Sequence, residues 1–425
     1  MKQLDYPQLN ETAYRQVLPN GLTIVVIPRP GFTRKLAYFV TDYGAIHTDF
    51  SVDGEKITAP AGVAHYLEHK LFDMPDRDVT AEFAALGASP NAFTSYDVTA
   101  YYFSCTENFP QCLRLLLEYV TTPYFTEASV QKEQGIIGQE IGMNEDNPDT
   151  RVFENLMEQM YPVHPIRVPI LGWRDSIAKI TPEVLHRCHK AFYRPDNMLL
   201  CVVGDVDPAQ VEALAREIVP EKPTETVTGQ TSWQEEMTCQ SHYVEQKMEV
   251  AMPMFQLGFK SEAPENGEPA VFNEAVGDLA AEALFGESSP LYLRLYEAGL
   301  IDNSFGGGYE NVQGMALLTL GGDSRDPQGV QAAVLEEAQR LVREGLEETD
   351  FLRMKRSALG RRIRDLDSFD SVAFRVCAYH FSDFDYFRFP EVYRKVEQKD
   401  VLEFIARTVT EERCCLSVIL PKEET

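Results

Sequence analysis

The sequence lacks any uninterrupted apolar run near the roughly 18 residues that a membrane-spanning helix needs. Its opening, "MKQLDYPQLNETAYRQ", has neither the basic start nor the apolar stretch of a secretory signal. Both absences predict a cytoplasmic chain with no membrane partner. Cys-x-x-Cys pairs are missing too: Cys105, Cys112, Cys188, Cys201, Cys239, Cys377, Cys414 and Cys415 follow no regular spacing, and several sit in apolar runs such as "MLLCVVG". They read as reduced core residues rather than a disulfide framework or a metal cage. Positive charge is scarce, with 39 Lys and Arg against 66 Asp and Glu and a formal charge of −27. A surface that negative repels phosphate backbones, which argues against nucleic acid as a partner. The glycine run in "FGGGYEN" has no lysine at phosphate-loop spacing, which argues against nucleotide as well.

What is present is a chain of 425 residues, too long for one ordinary core, with mixed strand and helix signals. "PNGLTIVVIPRPG" and "LAYFVTDYGAIHT" read as strands, and "NAFTSYDVTAYYFSCT" as a hairpin or an edge pair. "CLRLLLEYV" and "TEASVQKEQGIIGQEIGMNED" read as helices, and "MLLCVVGDVDP" as a further strand. That order predicts an α+β fold of mainly antiparallel sheets with helices packed on one face. Polar, aperiodic sequence near "EKPTETVTGQTSWQEEMTCQ" predicts a linker at 223–238 between domains 1–222 and 239–425. The second half repeats the first: superposing Gly138 on Gly360, an offset of 222 residues, keeps the apolar face, while Glu133 falls on Lys355 and Glu140 on Arg362.

The chemistry concentrates in "GVAHYLEHKLF". Residues three and four apart share a helix face, so His65, Glu68 and His69 point together. Two imidazoles at that spacing can hold one zinc ion beside a carboxylate able to take a proton. A third ligand is needed, and the helix "KEQGIIGQEI" offers Glu133 or Glu140, seven residues apart on one face. Its opposite face, with Val130, Ile136, Ile137 and Ile141, is expected to pack in the core. His186 and His189, with Cys188 between them, have no clear further ligand and read as structural.

His-x-x-Glu-His followed some 70 residues later by Glu-x6-Glu resembles the inverzincins, the pitrilysin and insulin-degrading type of zinc metallopeptidase that includes the mitochondrial processing peptidases. The resemblance covers essentially the whole chain, through "PNGL", "GASPNAFTSYDVTAYYF", "ILG…SIAKIT" and "AFYRPDNMLLCVVGDVD". The size is similar to the shorter bacterial processing-peptidase-like branch, with two duplicated α+β domains. It implies one Zn2+ per chain held by His65, His69 and Glu140, with Glu68 as general base and Glu133 as the carboxylate that orients a ligand. It also implies that the strand Asn91, Ala92, Phe93 and Thr94 pairs with a peptide substrate as an added strand.

One departure matters. Active members of this type carry an arginine and a tyrosine seven residues apart in the second domain, the tyrosine helping to hold the oxyanion. In "LYLRLYEAGLIDNSFGGGYEN" the residue seven beyond Arg294 is Ile301, and Tyr309 is close but wrongly spaced. The expectation is a zinc endopeptidase acting on peptides in a chamber, completed by a second chain that supplies the Arg/Tyr pair or by a homodimer. The alternatives are a non-catalytic assembly subunit of the same fold and a dedicated peptide-maturation protease.

Overall fold

The computed structural model describes residues 1–75, 77–229 and 233–422, so part of the expected linker at 223–238 lies outside the described residues. The first half opens with strands β1 (Lys2–Tyr6), β2 (Glu11–Val17), β3 (Thr23–Pro28) and β4 (Lys35–Thr41), then a short pair, β5 (Asp49–Val52) and β6 (Glu55–Thr58). Helices α1 (Val63–Leu71) and α2 (Val79–Ala85) lead to a hairpin, β7 (Ser89–Thr94) and β8 (Thr99–Cys105). Next come α3 (Phe109–Thr121), α4 (Glu127–Glu145), α5 (Pro148–Met160), α6 (Arg174–Ile177) and α7 (Pro182–Phe192). Strand β9 (Met198–Gly204), α8 (Pro208–Ile218) and β10 (Val227–Gly229) complete this half.

The second half runs β11 (Tyr243–Met248), β12 (Met254–Ser261), α9 (Glu268–Phe285), α10 (Pro290–Glu297), β13 (Gly306–Val312) and β14 (Met315–Asp323). It continues with α11 (Pro327–Glu344), α12 (Glu348–Arg364), α13 (Phe369–Phe381), α14 (Phe389–Lys395), α15 (Gln398–Thr408) and β15 (Cys414–Pro421).

The two large sheets share one plan. One is ordered β1-β2-β3-β9-β4-β8-β7 and the other β11-β15-β12-β14-β13. In each, the strand that comes last in the chain among those of the sheet (β9, β15) runs parallel to one neighbour (β3, β11) and antiparallel to the other (β4, β12). The remaining pairs are antiparallel, as the α+β expectation requires.

Two compact units form, and neither is contiguous. One takes Met1–Ile141, Val168–Gln230 and Ile363–Phe387; the other takes Gly142–Arg167, Thr231–Arg362 and Arg388–Thr425. In the first, α1, α2, α3, α4, α7 and α8 bury Leu67, Phe83, Leu116, Ile137, Leu185 and Val211 against Phe39, Tyr101, Phe103, Leu200 and Val202 of the sheet. The other face of β4 and β9 is covered by α13, which comes from the second half of the sequence. In return α5, from the first half, lies on β12 and β15 of the second unit, with Gly258 leaving room for Met160 and Leu156. The exchange explains why every residue of "MLLCVVG" is buried: a strand covered on both faces reads as a continuous apolar run.

Asp42, just beyond β4, is tied by its backbone to Asn197, whose side-chain amide donates to the Asp42 carbonyl at 3.0 Å. Burial first, then the charges of Asp97 and Asp383, push its carboxyl up to about 7. Its proton is thus held more tightly in the folded chain than in the unfolded one. This contribution to stability is fully present below the ordinary carboxylate range and is lost as the pH rises through about 7, to the extent of up to about 4 kcal/mol. Asp42→Asn is expected to stabilise the protein at pH 8 by at least about 1 kcal/mol and to leave it unchanged near pH 4. Denaturant titrations at the two pH values decide it; equal effects at both would remove Asp42 as the source.

Candidate metal centre

Helix α1 starts at a close backbone crossing. Gly62 (φ +89°) and Gly172 (φ +70°) sit where any Cβ would collide, the first with the Leu171 carbonyl and the second with the Ala61 carbonyl. Only glycine adopts both the conformation and the proximity cheaply. Ser176 on α6 locks the junction by donating to the Ala61 carbonyl at 2.8 Å. At the other side of the helix the buried Tyr66 hydroxyl donates to the Val130 carbonyl and ties α1 to α4.

Helix α4 carries its carboxylates inward in a way that corrects the expected division into polar and apolar faces. Val130, Ile137 and Ile141 are buried, but Ile136 is exposed. At 100° per residue, Glu133 and Glu140 border the stripe made by Val130, Ile137 and Ile141 instead of standing opposite it, and Ile136 falls on the far side. The carboxylates are half-buried because they flank the packed stripe.

Four of the expected residues meet here. His65 Nε2 and His69 Nε2 each lie 3.6 Å from an oxygen of Glu140, one imidazole to each oxygen. Nitrogens and oxygens bound to one tetrahedral zinc at about 2.1 Å stand roughly 3.4 Å apart, so this spacing fits the ion. Among the described residues, His65, His69 and Glu140 are the one group of three or more such donors within 4.8 Å of one another. Glu133 takes a different position: its Oε1 is 2.9 Å from His69 Nδ1, which fixes that ring with Nε2 toward Glu140. His65 Nδ1 is buried with no hydrogen-bond partner, so only one of the two imidazoles has this support.

The electrostatics also favour a cation. Burial lowers the His69 pKa, but the Glu133 hydrogen bond and the charges of Glu68, Glu133 and Glu140 outweigh it and leave it raised. The neighbouring His65 imidazole, and after it His69, hold the Glu140 carboxyl below its usual range against its partial burial. Three carboxylates around two imidazoles draw in a proton, and a divalent ion competes for the same place.

Glu68 shares the face of the two histidines, and one of its oxygens, Oε2, accepts the Thr94 hydroxyl at 2.8 Å. Of the four strand residues expected at the substrate, Thr94 alone is joined to this cluster. Ala92 packs against the core, Asn91 bonds the Ala92 amide, and Phe93 turns to Phe374 on α13, ring centres 6.0 Å apart. The strand order leaves β7 at the edge of its sheet, so its outer row of N–H and C=O groups has no strand partner among the described residues. The Thr94 contact was not legible beforehand; a threonine in a β-rich run signals only a strand.

The remaining candidates fall elsewhere. His189 Nε2 bonds the Val120 carbonyl at 3.0 Å and its ring stacks on Tyr193, while burial pulls its pKa down to about 4. It is a core histidine. Tyr309 is buried inside the second unit, edge-on to Phe404 and packed over Gly277, with its hydroxyl unpartnered. Arg294 is exposed on α10. Their local packing gives no sign of an arginine and tyrosine acting together.

Comparison with known proteins agrees with this geometry. The family described as Insulinase (Peptidase family M16) matches residues 57–173, and the Peptidase M16 inactive domain matches residues 179–358. A Bacillus subtilis relative named as an uncharacterized zinc protease, YmfH, is 37% identical over 99% of this chain and 100% of its own. The crystal structure of an M16-like peptidase from Alicyclobacillus acidocaldarius superposes with a TM-score of 0.93 at 30% identity, over 99% of this chain and 100% of that one. A protease from Helicobacter pylori shares the fold, with a TM-score of 0.83 at 18% identity over 96% and 99% of the two chains.

Proposed function

Since the chain belongs to the insulinase family, peptidase family M16, we propose that it is a zinc-dependent endopeptidase whose metal is held by His65, His69 and Glu140. The observation that carries the reading is the convergence of both imidazole Nε2 atoms on Glu140, with Glu68 on the same helix face. Zinc, when bound, lowers the pKa of a coordinated water towards about 7 and polarises a peptide carbonyl. The residues of the chain do the rest. Glu68 takes a proton from the attacking water and returns it to the leaving amine. Thr94 anchors one Glu68 oxygen and leaves the other to accept the proton. Glu133 keeps the His69 ring in place, and the free edge of β7 pairs with the peptide as an added strand, reading backbone more than side chains.

The active assembly, on this reading, contains a second chain. Its role is to place an arginine and a tyrosine at the oxyanion, since Ile301 stands at the expected spacing and Tyr309 is buried in its own unit. One oxyanion donor contributes roughly 3–4 kcal/mol in comparable hydrolases, so the chain alone is expected to be slow. The intact donor set argues against a purely non-catalytic subunit. A cytoplasmic location is supported by eight buried cysteines, all in the free thiol form.

The test is cleavage of a mixed peptide library by the zinc-loaded chain, alone and with candidate partner chains of the same family. Hydrolysis that needs the partner and stops with a chelator supports the whole reading. Robust hydrolysis by the chain alone removes the second chain from it, and no hydrolysis under any condition despite bound zinc overturns the peptidase assignment.

A further inference from the structure

The second unit repeats the plan of the first down to the helices that build the metal centre, and its charges are reversed. Helix α9 follows the central strand β12, as α1 follows β4 after the short β5–β6 pair, and α12 matches α4 at the offset that lays Gly138 on Gly360. On that register Glu140 becomes Arg362 and Glu133 becomes Lys355. Where α1 carries His65 and His69 four residues apart, α9 carries Glu274, Asp278 and Glu282 at the same spacing.

These groups meet as their counterparts do. The Arg362 guanidinium, 5% exposed, is salt-bridged to Glu274 and lies 3.6 Å from Asp278. The Tyr393 hydroxyl stands 3.3 Å from the same nitrogen, and Arg361 pairs with Glu282 at 3.2 Å. Lys355 donates to the Arg394 and Val396 carbonyls at the C-terminal end of α14. In the first unit, two imidazoles and a carboxylate from two helices surround a place for an external cation. In the second, carboxylates from one helix surround a cation that the other helix supplies.

We propose that Arg362 does in the second unit what a metal ion does in the first: it cross-links the two counterpart helices, α9 and α12, through Glu274 and Asp278. The cross-link in the second unit thus comes from the chain's own side chains. This inference rests on reading His65, His69 and Glu140 as the zinc site. Its physical basis is that a buried guanidinium with two carboxylates satisfies the same demand for positive charge, with its fork of donors filling the coordination positions. Removing it leaves carboxylates of one sign facing each other, the arrangement that divalent cations seek.

The experiment uses the full chain with His65→Ala and His69→Ala, which abolish the first site, and asks whether Arg362→His creates a second. Equilibrium dialysis against Zn2+ alone and Mn2+ alone is expected to find no ion in the background variant. With Arg362→His added, one ion per chain and a metal-dependent rise in Tm are expected. A folded Arg362→His variant that binds nothing overturns the inference, whereas an ion retained by the background overturns the zinc reading beneath it. Hydrogen exchange on the wild-type chain needs no variant to fold. Chelation should speed exchange in α1 and α4 and leave α9 and α12 unmoved; α9 and α12 loosening on chelation would overturn the proposal. Arg362→Met should loosen α9 and α12 by about tenfold or more with α1 and α4 unchanged.

Discussion

Glu68→Gln is expected to keep zinc at the wild-type level and to lower kcat by about 10²–10⁴-fold, the range for removing a positioned general acid–base. The substitution is nearly isosteric, and the amide oxygen of glutamine can still accept the Thr94 hydroxyl that now holds Oε2 at 2.8 Å. The shape of the site and the three metal donors are untouched. What disappears is the carboxylate that accepts a proton, so KM should hardly move while turnover collapses. Steady-state kinetics with metal analysis on the same preparation decide it, and turnover within tenfold of wild type would end the role assigned to Glu68.

His65→Ala and Glu140→Ala are expected to cost the metal itself. Each removes one of three protein donors, and the two other carboxylates at hand are engaged elsewhere, Glu133 with His69 Nδ1 and Glu68 with Thr94. Glu133→Ala supplies the contrast. It deletes the partner of His69 Nδ1 while leaving all three donors, which typically weakens metal binding by about 10–100-fold. Competition against a chromophoric chelator should therefore rank Glu133→Ala between wild type and the two ligand variants. Full zinc occupancy in His65→Ala or Glu140→Ala would remove that residue from the ligand set. A loss in Glu133→Ala as deep as theirs would make Glu133 a ligand in its own right.

Much of this was legible in local sequence because helical and strand periodicities are local. The spacing of His65, Glu68 and His69 places them on one face whatever the fold, and the seven residues between Glu133 and Glu140 do the same on α4. The hairpin of β7 and β8 and the repeat of α4 in α12 were equally visible. Periodicity could not say which glutamate reaches the metal side. Glu140 lies against both imidazoles whereas Glu133 reaches His69 alone, and that depends on how α1 crosses α4, a crossing set by Tyr66 against Val130 and by the Gly62–Gly172 contact more than 100 residues apart in the chain.

The exchange of helices was wholly outside the reach of the sequence. Both α5 and α13 are apolar on one side, and that pattern demands a sheet to cover without naming it. Each covers the sheet of the other half, so a linker read from composition divides the sequence and not the compact units. The chain by itself determined which side chains could do chemistry, since residue type and spacing are enough for that. Only the tertiary structure decided which of them meet, because the contacts that bring α4 to α1, Thr94 to Glu68 and Arg362 to Glu274 join segments whose local patterns carry no record of each other.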